Sequence, residues 1–151
     1  MNAIAKKLFI NEWLRWIALP FAASIGSMAG AILVGMFMWF TAKMQGGYSP
    51  DGWWMMYVVP LFSSIAMGYL YTLISYEVAP RGKCVASTVM VTLLAVFMLG
   101  MVSIGWLMPD YSAGKAVEVT VSAIATTATA VIVLKGYFEK DSASKTTEWH
   151  A

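Results

Sequence analysis

Glu118 is the acidic residue that falls within an apolar stretch of this sequence. A charge at the centre of a bilayer helix costs about 2.5–3.5 kcal/mol on insertion scales, so such residues mark proton relays, ion sites and substrate paths. Asp51 and Asp110 stand in neighbouring loops, and Lys115 lies three residues before Glu118. Two readings follow. Glu118 holds a cation or a proton at an outer vestibule, or it sits at headgroup level beside Lys115. Ser122, Thr126 and Thr129 share a helical face at i, i+4 and i+7. Together with Glu118 they outline a polar path. Hydroxyls in apolar helices more often bond carbonyls of their own or a neighbouring helix.

Other chemistry is sparse. His150 is the one histidine and Cys84 the one cysteine, so four-ligand structural zinc and an intrachain disulfide are excluded. Met36, Met38, Met44, Met55, Met56, Met98, Met101 and Met108 crowd toward one side. Thioethers hold Cu(I) when two or three converge, but Met is also ordinary packing filler. Arg81 and Lys83 precede Cys84 closely, and an inert thiol is the simpler reading of this lone cysteine. No Ser/His/Asp set, phosphate loop or CxxC is present. No catalytic residue, cofactor site or metal site is assigned, and no enzyme is expected.

Small residues give the clearest spacing. Gly26 and Gly30 form a GxxxG, with Gly35 on a neighbouring row, and Ser64, Gly68 and Thr72 repeat every four positions. Such stripes let helix backbones approach closely in lipid. They serve packing within the chain or contact with another chain.

The elements that carry these residues follow from charge placement. Residues 16–42, 52–76 and 84–109 contain no Asp, Glu, Lys or Arg. Residues 119–134 extend that pattern once Glu118 is placed at an interface. About 20 apolar residues cross the hydrocarbon core, and only helices or closed barrels satisfy their backbones there. The runs are continuous rather than alternating, which predicts helices over about 16–42, 53–76, 84–108 and 117–136. The chain is 60% apolar and 12% charged, too greasy for one small water-soluble core. Its net charge of +2 offers no nucleic-acid footprint.

Lys6, Lys7, Arg15, Arg81, Lys83, Lys135, Lys140 and Lys145 fall on one side of this threading, and Lys43 and Lys115 on the other. That asymmetry predicts both termini in the cytoplasm, with a bacterial inner membrane the natural host. The stretch after the first lysines is too long for a cleaved signal peptide and reads as a retained span. Residues 1–15 carry apolar Ile4, Leu8, Phe9 and Trp13 on one face, which predicts a separate interfacial helix. Residues 138–151 are polar and read as a frayed tail. Pro60 is expected to kink the second span and free the Met56 carbonyl. A weak likeness of 48–52 to 109–114 hints at duplication but recurs easily by chance.

The expected architecture is one all-α transmembrane domain, a four-helix up-down-up-down bundle with an N-terminal interfacial amphipathic helix. The expected function is that of a non-catalytic scaffold or accessory subunit. It would act through helix contacts with itself, as a homo-oligomer, or with a larger membrane complex. The alternative is a small oligomeric transporter or channel for an uncharged or apolar solute.

Overall fold

A computed structural model describes residues 3–46, 49, 52–79, 82–108 and 113–148, with side chains described within 13–46, 49, 52–79, 82–108 and 114–142. Four long helices make up almost all of it: α1 (Ala3–Met44), α2 (Val59–Val78), α3 (Lys83–Leu107) and α4 (Ala113–Glu148). No strand occurs among the described residues. A short π-helical turn, Trp54–Val58, leads into α2. The stretches Trp13–Met44, Trp54–Val78, Lys83–Leu107 and Gly114–Ser142 are each long and apolar enough to cross a membrane. Within each, between 17% and 28% of the most apolar window is buried inside the chain. The rest is half-buried or exposed, an apolar surface that water would not tolerate and that suggests a membrane location.

Two ends differ from expectation. No break at Arg15 sets off a separate interfacial helix, because α1 runs uninterrupted from Ala3. Nothing between residues 3 and 19 is a helix breaker, and helix 1 continues even through Pro20, which has no N–H to offer Trp16. At 42 residues, α1 is about 63 Å long, roughly twice the hydrocarbon thickness. Nor does the polar tail fray at 138, since α4 stays helical to Glu148. That stretch also lacks Gly and Pro beyond Gly136, and Lys135 pairs with Glu139 one turn on at 3.9 Å. Residues 149–151 lie outside the described residues.

Pro60 acts differently from a simple kink. The wide turn precedes it, with the Val59 N–H donating to the Trp54 carbonyl five residues back. Pro60 then occupies the first turn of α2, where a missing N–H is cheap. The register change thus absorbs the proline at the start of α2, where the sequence suggests a bend in mid-span.

The packing is not a closed ring. α2 is the hub and touches α1, α3 and α4, while α3 also packs along α4. α1 rests chiefly on α2. Contacts pair Gly26 with Ile74, Gly30 with Leu70 and Gly35 with Ser63, so α1 and α2 are antiparallel. Gly68 meets Thr126, and Thr72 meets Ala130, so α2 and α4 run the same way. Leu19, Ala23, Tyr71, Met90, Val91, Leu94, Ala130 and Leu134 form the buried core. It is built largely of small and medium side chains, because the helices come too close to admit many large ones.

Thr72 ties two helices. Its hydroxyl is fully buried and lies 3.0 Å from the Gly68 carbonyl and 3.3 Å from the Ala130 carbonyl on α4. Thr72→Val keeps the shape and removes the donor. The expected loss is about 0.6 kcal/mol, the typical worth of an interhelical hydrogen bond in a bilayer protein. Thermal unfolding in detergent would measure it, and an unchanged midpoint would show that the bond to α4 contributes nothing.

Candidate functional site

The residues singled out by spacing gather along two seams of α2. On the first, Gly26 and Gly30 of α1 lie against the side-chain ends of Ile74 and Leu70, and Gly35 lies against Ser63 and Val59. Ala23 and Ser27 are fully buried on the same side of α1. Ser24 of α1 and Tyr71 of α2 border one recess beside this seam. On the second, a Cβ placed on Gly68 would collide with the Thr126 backbone of α4 itself. Ser64, one turn before Gly68, returns its hydroxyl to the Pro60 carbonyl at 2.7 Å. The α1 glycines and Gly68 therefore face different partners. The first seam leans on movable side-chain tips and the second on backbone.

The polar-path residues of α4 lie at different depths. Thr126 is 1% exposed and donates to the Ser122 carbonyl at 2.9 Å. Ser122 and Thr129 are half-buried. Glu118 is half-buried and forms no ion pair with Lys115. Asp51 and Asp110 lie outside the described residues. Near the same end, the Trp106 indole N–H donates to the Thr120 hydroxyl at 3.1 Å and joins α3 to α4. An apolar groove of about 510 Å³ runs beside this link, between Met98, Leu99 and Val102 of α3 and Ala123, Ile124 and Thr127 of α4.

The deepest hydroxyls are Ser27 of α1, Thr72 and Ser75 of α2 and Ser87 of α3. Ser75 donates to the Tyr71 carbonyl at 2.7 Å, whereas the buried Ser87 hydroxyl finds no partner among the described residues. Thr72 belongs to the Ser64–Gly68 row, so its depth was legible from spacing. Ser87 carries no comparable signal.

A second cluster escaped the spacing argument. At the end shared by the start of α3 and the later part of α4, Tyr76 and Tyr137 stack at 4.1 Å and 11°. The Lys83 ammonium lies 5.2 Å from the Tyr76 ring centre and 3.6 Å from Glu77. Cys84 is half-buried beside them and lines a cavity of about 450 Å³ with Lys83, Val85, Phe138 and Asp141. The opposite end carries Lys43 over the Trp39 ring at 4.9 Å and Trp53 edge-on to Trp54 at 5.9 Å. These aromatic groups sit at helix ends, as interfacial anchors do. No group of three His, Cys, Asp or Glu side chains is placed to hold a metal among the described residues.

The two seams should respond unequally to an added methyl. Gly68→Ala is expected to cost about 1–3 kcal/mol, because overpacking against backbone forces the helices apart. Gly26→Ala should cost less, because the Ile74 tip swings aside. Detergent unfolding curves of the two variants give the order, and a larger loss at Gly26 would reverse the assignment of the rigid seam.

Comparison of the chain with family models, with curated proteins and with solved structures finds no match to any of them.

Proposed function

We propose that this is a small integral membrane protein that works without catalysis, as a scaffold or accessory subunit. It acts through helix contacts with a second copy or a larger membrane partner. In this reading the four helices cross a bacterial inner membrane up-down-up-down as one bundle, with both termini in the cytoplasm. Eight of the ten basic residues on one side of that threading support the orientation.

The carrying observation is the open edge at α1. A closed bundle covers each helix with two neighbours, but α1 has α2 as its main support. Phe21, Ile25, Leu33, Phe37 and Phe40 stay exposed along it. A helix held on one side in this way is suited to accept another helix on the other. The α4 hydroxyls support the same reading over a solute path, because Thr120 and Thr126 both give their protons to carbonyls of their own helix.

Light scattering of the protein in mild detergent, together with affinity purification from native membranes, tests the proposal. The expected result is a mass of two or more chains or a stoichiometric membrane partner. A lone monomer from both preparations would overturn it. Solute flux into liposomes that falls in Glu118→Gln and Thr126→Val would replace it with the transport reading.

A further inference from the structure

Two uncovered surfaces of this chain lie at one depth. The first is the groove of about 510 Å³ between α3 and α4, lined by Ala95, Ala123 and Ala128 with Leu99 and Ile124 beside them. The second is the free face of α1, where Ile25, Ile32, Leu33, Met36 and Phe40 are all exposed. Their spacing of i, i+7, i+8, i+11 and i+15 sets them on one side of a helix.

Contacts through α2 fix the common depth. Gly30 meets Leu70 and Gly35 meets Ser63, so Gly68 of α2 lies level with the stretch 30–35 of α1. Gly68 meets Thr126 of α4, inside the stretch 123–128 that contributes to the groove. Ile32 and Leu33 are therefore level with Ile124 and Thr127. The two surfaces also belong to opposite sides of the molecule. Leu70 and Ile74 face α1, whereas Gly68 and Thr72 face α4. At 3.6 residues per turn these pairs lie about half a turn apart, so α1 and α4 flank α2 from opposite sides. The free face of α1 cannot reach the groove of its own chain.

We propose that α1 of one copy seats its free face in the α3–α4 groove of the next copy. This names the partner in the scaffold reading and rests on that reading. All copies insert with the same basic side inward, so the matched depth lets the contact form without a vertical shift. In lipid the gain comes from fit, since acyl chains also cover apolar surface. Alanines in the groove let a helix backbone approach closely, and side chains carried on a rigid helix lose less freedom on entering than an acyl chain does. At about 100 Å² for each exposed side chain, the α1 face brings about 500 Å² and two partners about 1,000 Å², the size that a specific interface must clear. Because the contact joins unlike faces, it repeats head to tail and builds a ring or a row of chains.

Disulfide cross-linking in native membranes tests this, in a Cys84→Ala background that removes the one natural thiol. A chain carrying both Leu33→Cys and Ile124→Cys is expected to give, on copper–phenanthroline oxidation, a ladder of two, three and more chains. Either substitution alone should give monomer, because its counterpart is then missing. Phe21→Cys with Ile124→Cys moves the α1 thiol about 18 Å along the helix and should cut the ladder about tenfold. Ala128→Trp fills the groove and should abolish the ladder, whereas Phe62→Trp on the exposed face of α2 should leave it unchanged. Circular dichroism of each variant shows that the helices remain. Cross-linked pairs from Leu33→Cys alone would overturn the proposal in favour of a symmetric α1–α1 pair. No cross-link from any variant would overturn it and leave lipid in the groove. A different membrane protein recovered from those same membranes would still uphold the scaffold reading, so the two failures are distinguishable.

Discussion

The approach of α2 to α4 at Gly68 governs the geometry of the rest. No side chain separates the two helices there, and the next group across is the Thr126 backbone. In lipid, apolar surface gives helices no reason to leave the tails for each other. Association comes from dispersion at close range and from hydrogen bonds that no solvent can replace. Gly68 allows the first, and Thr72, one turn along, adds the second through the Ala130 carbonyl. With α2 pressed to α4 on one side, its other side is left to α1. There Gly26 and Gly30 accept Ile74 and Leu70 as knobs into a shallow trough.

That arrangement explains why the interior is small and the recesses large. Glycine, alanine, serine and threonine fill the seams, so backbones lie close and little volume remains at the contacts. Where two helices are not drawn together, as between α1 and α3, apolar clefts lie between them. Packing at native density costs dispersion energy wherever it fails.

The ends of the helices follow other rules. Lys83, Glu77, Tyr76 and Tyr137 are grouped by charge and ring contact rather than by close backbone approach. Such contacts sit where water and headgroups meet, and each is individually weak. They orient the ends without setting the distance between helices. The proline of α2 is handled in the same local way, by a wide turn that costs one register step and leaves the rest of the helix regular.

The number and approximate extent of the helices were legible in the amino-acid order, because a run without charges is a property of neighbours along the chain. So was the Ser64–Gly68–Thr72 row, whose four-residue spacing puts its members on one face. Which helix each face meets was not legible. Gly26 and Gly68 carry the same local signal, yet one meets a side chain and the other a backbone, because only the relative rotation of whole helices decides that. The uninterrupted course of α1 past Arg15, and of α4 past residue 138, was also misjudged from polarity. Polarity reports where a residue prefers to lie, whereas a helix ends only where its hydrogen bonds stop. The clustering of Lys83 with Asp141 joins residues from α3 and α4 that lie 58 positions apart. Only the packing of the helices through α2 brings them to one cavity.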